Sequence, residues 1–238
     1  MLAVENLHAY YGSSHVVQGV SFSIERGEAV ALMGRNGVGK TSTLKSIIGL
    51  ETRTEGTVHF DGTLLSRVAS HTRAARGLGY VPEERAVFPQ MTVEENIRIG
   101  ALVQSAGDQS ACLERVYTLF PILRERRQQL AGTLSGGQQK MLALARGLAL
   151  QPKLLMVDEP SEGLMPANVE LITHALLSAT QSGLTVLVVD SSFDLLNQLC
   201  SRLYAMDRGV LIGTYRPADF ATPDELAATI LGERTSSD

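Results

Sequence analysis

The apolar residues of this chain fall into two kinds of short pattern that predict β-strands. The runs AVALM (29–33), LLMVD (154–158) and TVLVV (185–189) are almost uninterrupted, as in parallel strands that are buried on both faces of a sheet. VSFSI (20–24) and TVHFDG (57–62) alternate apolar with polar residues, which is typical of antiparallel strands with one solvated face. The N-terminal part of the chain therefore predicts an antiparallel β subdomain, and a buried parallel sheet follows.

A second periodicity, with apolar residues every three to four positions, predicts helices between and after these strands. This helical spacing covers residues 41–50, 94–103, 110–123, 137–150, 168–182 and 192–201. Strands that alternate with helices indicate a doubly wound α/β core. We predict a single domain over residues 1–238, with a strand-free helical insertion at about 91–150 and a polar C-terminal tail at about 232–238.

Composition limits the classes of protein to which the chain can belong. It has 238 residues, of which 44% are hydrophobic, and a net charge of −4, which gives no electrostatic reason to expect nucleic-acid binding. No apolar stretch approaches the roughly 18 residues of a membrane span, and the N-terminal sequence lacks the basic and apolar segments of a secretory signal. We therefore predict a cytoplasmic protein in which Cys112 and Cys200 are buried thiols.

A glycine-rich segment between a predicted strand and a predicted helix has the pattern of a phosphate-binding loop. GRNGVGKTS (34–42) follows AVALM and matches G-x-x-x-x-G-K-[ST]. Glycines let the backbone turn several N–H groups toward phosphate oxygens, the lysine adds positive charge, and the threonine hydroxyl is a ligand for Mg²⁺. An ordinary glycine-rich turn would need neither the lysine nor the threonine. The predicted nucleotide-binding residues are Gly34, Arg35, Asn36, Gly37, Val38, Gly39, Lys40, Thr41 and Ser42.

Two carboxylates stand at the end of another predicted buried strand. LLMVDEP (154–160) places Asp158 and Glu159 after four apolar residues, at the carboxyl end of a strand, where open α/β sheets bind ligands. Asp158 is expected to hold Mg²⁺ directly or through water, and Glu159 to polarise the water that attacks the γ-phosphate. Acidic residues also cap helices at such positions, but the phosphate-binding loop elsewhere in the chain favours the catalytic interpretation.

A third motif makes the family specific. Residues 134–138 read LSGGQ, and with the loop and the acid pair they make nearly the whole chain resemble the ATP-binding subunits of ABC transporters. The resemblance implies a P-loop NTPase fold of the ABC cassette type with a RecA-like, mainly parallel core, and ATP and Mg²⁺ as cofactors. It also implies that the motif binds the γ-phosphate held by the other subunit of a dimer. The residues expected to act in trans are Leu134, Ser135, Gly136, Gly137 and Gln138.

The same resemblance implies an aromatic residue that stacks on adenine, in the segment AYYG (9–12). Tyr11 directly precedes the glycine and is the expected residue, with Tyr10 as the alternative. A strand tyrosine that packs on its own sheet would also fit this position.

Longer segments resemble importers within the family. YVPEERAVFPQMTVEENI (80–97) and DEPSEGLMP (158–166) are similar to the second ATPase of branched-chain amino acid importers, and GRNGVGKT is similar to that of urea and short-amide importers. Such systems imply a second, dissimilar ATPase, two membrane permease subunits, an extracytoplasmic binding protein and no nucleic-acid partner. They also imply that this chain is peripheral on the cytoplasmic face of the inner membrane. The residues expected to line a groove for a permease helix are Phe88, Pro89, Met91 and Val93.

Three positions differ from the general pattern of the family. Glu83 stands where a glutamine usually links Mg²⁺ and water to the membrane subunit; a carboxylate can still bind Mg²⁺, but it adds negative charge beside the triphosphate. Met165 replaces an aspartate at the subunit seam. Ser191 aligns with a histidine that contacts the γ-phosphate, and we expect it to cap the following helix while facing the nucleotide. Because serine supplies no cation, we expect strong ATP binding with weak hydrolysis, or hydrolysis only with the partner subunit.

Two other functions fit the same motifs. One is a regulatory subunit that binds nucleotide with little hydrolysis of its own, which Ser191 favours and Glu159 disfavours. The other is a soluble ABC ATPase of translation or DNA repair, but this chain has no second cassette, no long coiled-coil arms and no basic face. The sequence does not identify the transported substrate, because selectivity resides in other subunits of such systems.

Overall fold

Two β-sheets organise the chain. The computed structural model describes residues 1–51, 53–84, 87–102, 106–222, 225–226 and 228–229, so the predicted polar tail lies outside the described residues. The strands are β1 (Leu2–Tyr11), β2 (Ser14–Ile24), β3 (Ala29–Met33), β4 (Arg53–Phe60), β5 (Thr63–Leu64), β6 (Leu78–Val81), β7 (Leu154–Asp158), β8 (Thr185–Val189), β9 (Arg202–Asp207) and β10 (Val210–Tyr215). The helices are α1 (Lys40–Ile48), α2 (Ser70–Ala75), α3 (Val93–Ala101), α4 (Ala106–Leu119), α5 (Pro121–Glu125), α6 (Gly136–Ala149), α7 (Pro166–Gln181) and α8 (Phe193–Leu199).

An antiparallel sheet carries the N-terminal part of the chain. Its strand order is β2-β1-β4-β5, and β1 pairs antiparallel with both β2 and β4. Alternate residues point into the core, since Val20, Phe22 and Ile24 of β2 are buried while Ser21 and Ser23 are exposed. The alternation predicted from VSFSI is therefore confirmed.

The second sheet has the order β10-β9-β3-β8-β7-β6. Strands β3, β6, β7, β8 and β9 run parallel, and β10 pairs antiparallel with β9. The carboxyl ends of the parallel strands therefore share one edge of the sheet, which is the edge where open α/β sheets bind ligands. The loop after β3, the acid pair at the end of β7 and Asp190 after β8 all meet there.

The central strands are apolar throughout because both faces of their sheet are covered. In β3, Ala31 packs in the core that contains α6 and α7, whereas Val30 and Leu32 pack in the core that contains α1 and the antiparallel sheet. Strand β8 divides in the same way, with Val188 in the first core and Leu187 in the second. This two-sided burial confirms the parallel sheet predicted from the uninterrupted apolar runs.

Helices α3 to α6 form the predicted helical insertion, and the described residues between 91 and 150 contain no strand. The single helix predicted at 110–123 is wrong, because α4 ends at Leu119 and α5 begins at Pro121. Proline has no backbone N–H, so it suits the first turn of a helix and disrupts its interior. The structure also contains helix α2 and the hairpin of β9 and β10, which the apolar pattern does not predict.

Both cysteines are buried and free, as predicted. The thiol of Cys112 donates to the carbonyl oxygen of Ala149 across 3.3 Å, and burial raises the pKa of the Cys200 thiol well above its usual range. In the described ranges, every helix is too short or too polar to span a lipid bilayer.

A buried arginine stabilises the end of α1, the helix that follows the glycine-rich loop. The side chain of Arg73 is buried, and its Nη1 donates to the carbonyl oxygens of Ser46 at 3.0 Å and Ile47 at 2.7 Å. Its Nε donates to the carbonyl oxygen of Val68 at 2.8 Å. The last carbonyl groups of a helix have no partner within the helix. The Ser46 carbonyl oxygen also accepts the N–H of Gly49, whereas the Ile47 carbonyl oxygen depends on Arg73.

We expect the substitution Arg73→Met to lower the free energy of unfolding by about 2–3 kcal/mol, because it removes three hydrogen bonds from a buried charged donor and leaves the Ile47 carbonyl group without its partner. Urea denaturation followed by circular dichroism measures the change. The matched control is Arg26→Met, which removes an exposed ion pair with Asp61 and should change the same free energy by less than about 0.5 kcal/mol. Equal losses in the two variants would contradict this role of Arg73.

Candidate functional site

Residues 34–39 form a tight loop between β3 and α1 whose shape requires glycine at its two ends. Gly34 has a φ of 154°, and a Cβ atom there would lie 2.1 Å from the carbonyl oxygen of Met206. Gly39 has a φ of 109°, and a Cβ atom there would lie 2.8 Å from the carbonyl oxygen of Val16. The turn after β9 supports the loop from the same side, because the N–H of Gly209 donates to the carbonyl oxygen of Val38.

Lys40, at the start of α1, points back into this loop. Its side chain is buried, and Nζ donates to the carbonyl oxygens of Gly34 at 2.8 Å and Arg35 at 3.2 Å. The same ammonium lies 3.4 Å from Oε1 of Glu159. The lysine of the loop and the second residue of the acid pair are therefore in contact, although they come from different parts of the sequence.

Thr41 and Asp158 are also neighbours. The hydroxyl of Thr41 donates to Oδ1 of Asp158 at 3.0 Å, and the hydroxyl of Tyr80 donates to Oδ2 at 3.0 Å. Burial raises the pKa of Asp158, and these two hydrogen bonds oppose the rise because they favour the ionised form. Burial and the neighbouring Asp158 charge raise the pKa of Tyr80 above its usual range, so Tyr80 stays a hydrogen-bond donor at neutral pH. Sequence reasoning missed Tyr80, whose partner is far away along the chain.

Lys40, Thr41 and Glu159 line one cavity of about 330 Å³. Its walls contain half of the glycine-rich loop, the start of α1, a strand residue of β2 and three glutamates. The lining residues are Val16, Asn36, Gly37, Gly39, Lys40, Thr41, Ser42, Glu83, Glu159 and Glu162. The cavity thus combines backbone N–H groups and a helix N-terminus, which attract anions, with carboxylates, which attract cations or water.

Glu83 lies on this cavity next to Glu162, a residue that sequence reasoning missed. The hydrogen bond between the two carboxyl groups, followed by burial, raises the pKa of Glu83 to about 7. The charges of Asp158 and Glu159 act in the same direction. Three glutamates, Glu83, Glu159 and Glu162, therefore line the cavity, and the additional negative charge expected from Glu83 is partly avoided by shared protonation.

The backbone of Glu159 has an unusual conformation. Its φ is 44°, a left-handed value that costs a non-glycine residue about 1–3 kcal/mol. Its N–H donates to the carbonyl oxygen of Val189 on β8 at 2.7 Å. Burial raises the pKa of the Glu159 carboxyl group, and the charge of Lys40 opposes the rise. A buried carboxylate next to a lysine has the environment in which general bases are found.

Asp190 holds the loop that follows Glu159. Asp190 is buried, and its Oδ2 accepts the N–H of Ser161 at 2.8 Å. Its Oδ1 accepts the hydroxyl of Ser161 at 2.5 Å and the N–H of Ser192 at 2.7 Å. The acid at the end of β8 is thus a structural clamp between two loops at the edge of the sheet.

Ser192, and not Ser191, caps helix α8. The hydroxyl of Ser192 accepts the N–H of Leu195, so the prediction that Ser191 caps this helix is wrong by one residue. Ser191 is exposed and is not among the described residues that line the cavity. Its contact with a nucleotide stays a prediction.

The structure distinguishes the two tyrosines that could stack on adenine. The Tyr10 ring stacks on His15 with 4.4 Å between ring centroids, and the guanidinium of Arg53 lies 4.2 Å from the Tyr10 centroid. Tyr11 is 78% exposed. Since Tyr10 already has a ring on one face and a cation over it, the geometry favours Tyr11 as the residue with a face open for stacking.

The LSGGQ segment lies at the start of α6. Ser135 caps the helix, its hydroxyl accepting the N–H of Gln138 while its own N–H donates to the Gln138 side chain. A Cβ atom on Gly136 would meet nothing within 4 Å, whereas one on Gly137 would lie 2.5 Å from the Asn168 side chain. The described residues that line the cavity include none of 134–138. The expected contact of this segment with a phosphate held by a second subunit stays a prediction.

Only part of the predicted groove for a permease helix is exposed. Phe88 is 45% exposed, and the guanidinium of Arg146 lies 4.8 Å from its ring centroid. Val93 is fully buried in the core of the insertion, so its assignment to the groove is wrong. It is the first residue of α3 and faces inward. Met165, at the expected subunit seam, is 71% exposed.

Comparison with known proteins identifies the family of this arrangement. Residues 17–162 match the family model described as ABC transporter. The chain is 36% identical over 212 residues to the high-affinity branched-chain amino acid transport ATP-binding protein BraG of Pseudomonas aeruginosa, covering 89% of this chain and 91% of BraG. It is 33% identical over 240 residues to the lipopolysaccharide export system ATP-binding protein LptB of Haemophilus influenzae, covering 98% of each. A solved ATP-binding subunit of an ABC transporter superposes with a TM-score of 0.85 at 25% identity, covering 97% of this chain and 99% of that one.

The raised pKa of Glu83 predicts a pH-dependent stability. The unfolded chain has the ordinary glutamate pKa of 4.5, so the folded state holds this proton more tightly between 4.5 and about 7. The stabilisation by the proton is therefore present at low pH and is lost as the pH rises through about 7. We expect Glu83→Gln, which cannot ionise, to raise the Tm of the nucleotide-free protein at about pH 8 and to change it little at about pH 5.

Differential scanning calorimetry at both pH values measures this difference. Glu170→Gln, at an exposed position of α7, is the matched control and should not change the pH dependence. A Glu83→Gln shift of equal size at both pH values would contradict the shared proton.

Proposed function

The chain belongs to the ABC transporter family of ATP-binding proteins, and from that premise we propose that it is the ATP-hydrolysing subunit of an importer for branched-chain amino acids or for urea and short amides. One observation carries the proposal of its active site: Lys40, Thr41 and Glu159 line a single cavity although they lie on different elements. The similarity to BraG supports the branched-chain amino acid alternative. The similarity in GRNGVGKT supports urea and short amides.

Phosphate binding is assigned to the glycine-rich loop. We propose that backbone N–H groups of residues 34–39 surround the β-phosphate and that Lys40 contacts the β- and γ-phosphates. The ammonium of Lys40 already lies inside the loop, where it donates to the carbonyl oxygen of Gly34. A phosphate would offer this buried cation a full negative charge in place of neutral carbonyl groups, which is a stronger charge-assisted hydrogen bond. Tyr11 would supply the stacking face for adenine.

The residues beside the loop fit Mg²⁺. Thr41 Oγ1 and Asp158 Oδ1 are 3.0 Å apart, which matches the roughly 3 Å between adjacent oxygen ligands of an octahedral Mg²⁺. In the described residues, no group of three or more His, Cys, Asp or Glu side chains is arranged to hold a metal ion alone. We therefore assign Thr41 and Asp158 as ligands together with phosphate oxygens. Glu83, which lines the same cavity as Thr41, is a further proposed ligand. The ion would neutralise charge that develops on the phosphates.

Glu159 is the proposed general base. Its carboxyl group lies at the cavity. Burial raises the pKa of this group, and the positive charge of Lys40 opposes the rise. The left-handed backbone of Glu159 and its hydrogen bond to Val189 fix the position from which the carboxylate orients a water molecule. Asp190 fixes the next part of the loop through Ser161.

A second subunit completes the site in this proposal. Residues 134–138 stand outside the chain's own cavity, and Gly136 leaves open space at the N-terminus of α6. We propose that this helix end binds the γ-phosphate held by a dissimilar ATPase of the same assembly. Closure of the two subunits would then move two membrane permeases, which receive substrate from an extracytoplasmic binding protein. The exposed Phe88 marks the proposed contact with a permease.

Lipopolysaccharide export is a second candidate function. It is favoured by the relative LptB, which covers more of the chain than BraG does, although at lower identity. The ATPase mechanism proposed above would be the same in either system. What differs is the set of membrane partners, because selectivity for the transported molecule is assigned to other subunits of such systems.

Purification of the tagged chain from its native membrane tests the proposed function. We expect a dissimilar ATPase and two permeases to accompany it, and an amino-acid or amide-binding protein to stimulate ATP hydrolysis by the reconstituted assembly. Glu159→Gln should abolish the hydrolysis contributed by this chain while ATP still binds. Recovery of lipopolysaccharide export components would select the second candidate. Ribosomes or DNA repair proteins would overturn both.

The replacement of histidine by Ser191 predicts a slow active site. A lost charged hydrogen bond to the transferred phosphoryl group costs about 2–4 kcal/mol of transition-state stabilisation. We therefore expect slow ATP turnover by the purified chain and an increase of about tenfold or more in kcat for Ser191→His. A steady-state phosphate-release assay measures kcat.

The control is Ser182→His, the same substitution at an exposed position beyond α7, which should leave kcat unchanged. Rapid turnover by the wild-type protein, with no increase in Ser191→His, would contradict the prediction.

A further inference from the structure

Lys140 connects the helix of the LSGGQ segment to the loop that carries Glu159. It lies on α6, just over one turn after the capping residue Ser135. Its Nζ donates to the carbonyl oxygen of Glu159 at 2.9 Å and to that of Glu162 at 2.7 Å. One half-buried ammonium thus joins both ends of the segment 159–162. Neither the motifs nor the proposed mechanism uses this residue.

The two acceptors show what Lys140 does. Both are main-chain carbonyl oxygens in the described part of the chain, so the ammonium fixes the path of the backbone and does not neutralise a carboxylate. Hydrogen bonds from a charged donor are about twice as strong as neutral ones. The Glu159 carbonyl belongs to the residue with the left-handed φ of 44°. Lys140 therefore acts on a peptide unit that is bonded directly to the Cα of Glu159, and it restrains the backbone that carries the Glu159 side chain.

The loop has a second attachment on its other side. Asp190 accepts the N–H of Ser161, in the middle of the segment that Lys140 holds at its ends. Asp190 follows β8 in the central sheet, whereas Lys140 belongs to the helical insertion. The loop is consequently hydrogen-bonded to Asp190 at the sheet on one side and to α6 on the other. A displacement of α6 relative to the sheet must move the loop or break the contacts of Lys140.

We infer that Lys140 is a positioning residue, through which nucleotide binding at the N-terminus of α6 orients Glu159. This inference rests on the proposed function, in which Ser135 and Gly136 bind the nucleotide of the partner subunit. When that nucleotide fixes the N-terminus of α6, Lys140 holds the carbonyl groups of residues 159 and 162 at a fixed position relative to the helix. The general base of one site is then aligned by occupation of the other site. A flexible lysine suits this task because its three N–H donors can keep two acceptors as the helix shifts.

The test is ATP hydrolysis by the assembled complex carrying Lys140→Met, which keeps the apolar stem and removes the donors. We expect kcat to fall by about tenfold or more while KM for ATP changes by less than about twofold, because phosphate binding does not involve Lys140. Lys140→Arg, which can still donate to both carbonyl groups, should recover most of the lost kcat. The matched control is Lys153→Met, which removes an exposed ion pair with Asp61 and should behave as wild type.

Two further measurements separate alignment from general damage. In a Glu159→Gln background, which traps ATP, Lys140→Met should leave ATP-dependent closure of the two subunits unchanged. Hydrogen exchange read by mass spectrometry should show faster exchange of the amides at 161–164 in nucleotide-free Lys140→Met than in wild type or Lys153→Met, by about tenfold. The exchange measurement needs no hydrolysis and therefore stands if the proposed function fails.

The possible outcomes are distinguishable. Unchanged kcat in Lys140→Met, in a complex whose wild-type form hydrolyses ATP, would overturn the inference and leave the proposed function intact. Loss of ATP-dependent closure together with kcat would also overturn it, since Lys140 would then be required for the helix itself. Unchanged exchange at 161–164 would overturn it in every case. A wild-type complex without any turnover would overturn the proposed function instead.

Discussion

Charge is concentrated at the carboxyl edge of the central sheet, and the organisation of the site follows from the need to satisfy it. Asp158, Glu159, Asp190 and Lys40 are all buried there. Buried charges are stable in a protein only when hydrogen bonds or opposite charges compensate their lost hydration. Each of these four has such partners, and at least one partner of each comes from another strand, loop or helix of the edge. Compensation of charge therefore also holds the elements of the site together.

The charged residues at this edge are of two kinds, which differ in whether a ligand can replace their contacts. Asp190 is fully engaged by the backbone and side chain of Ser161 and by the N–H of Ser192, so it belongs to the framework. Lys40 contacts neutral carbonyl groups and a carboxylate whose pKa is raised by burial, and these are contacts that a phosphate can replace. The framework residues fix geometry, and the replaceable contacts give the site its affinity for an anion.

Local sequence patterns predicted the parts of the molecule that local physics determines. The uninterrupted apolar runs gave the buried strands, and the glycine-rich loop was recognisable because its backbone conformations exclude other residues at Gly34 and Gly39. The hydrogen bond of Tyr80 to Asp158 and that of Glu162 to Glu83 could not be predicted, since they join positions far apart in sequence. The predicted cap of α8 lies one residue too early because two serines precede that helix, and only the hydrogen bond from the Leu195 N–H to the Ser192 hydroxyl distinguishes them. Val93 was misplaced because an apolar residue at a helix start fits a groove and a core equally well.

The hairpin of β9 and β10 supports the glycine-rich loop, although none of the three sequence motifs includes it. Its Met206 carbonyl oxygen lies against Gly34, and the N–H of Gly209 holds Val38. The family match ends at residue 162, well before this hairpin begins. A fragment limited to the matched residues would contain all residues of the three motifs, but it would lack the hairpin surface that packs against the loop. For this architecture, the smallest unit that can grip a nucleotide is longer than the smallest unit that can be recognised.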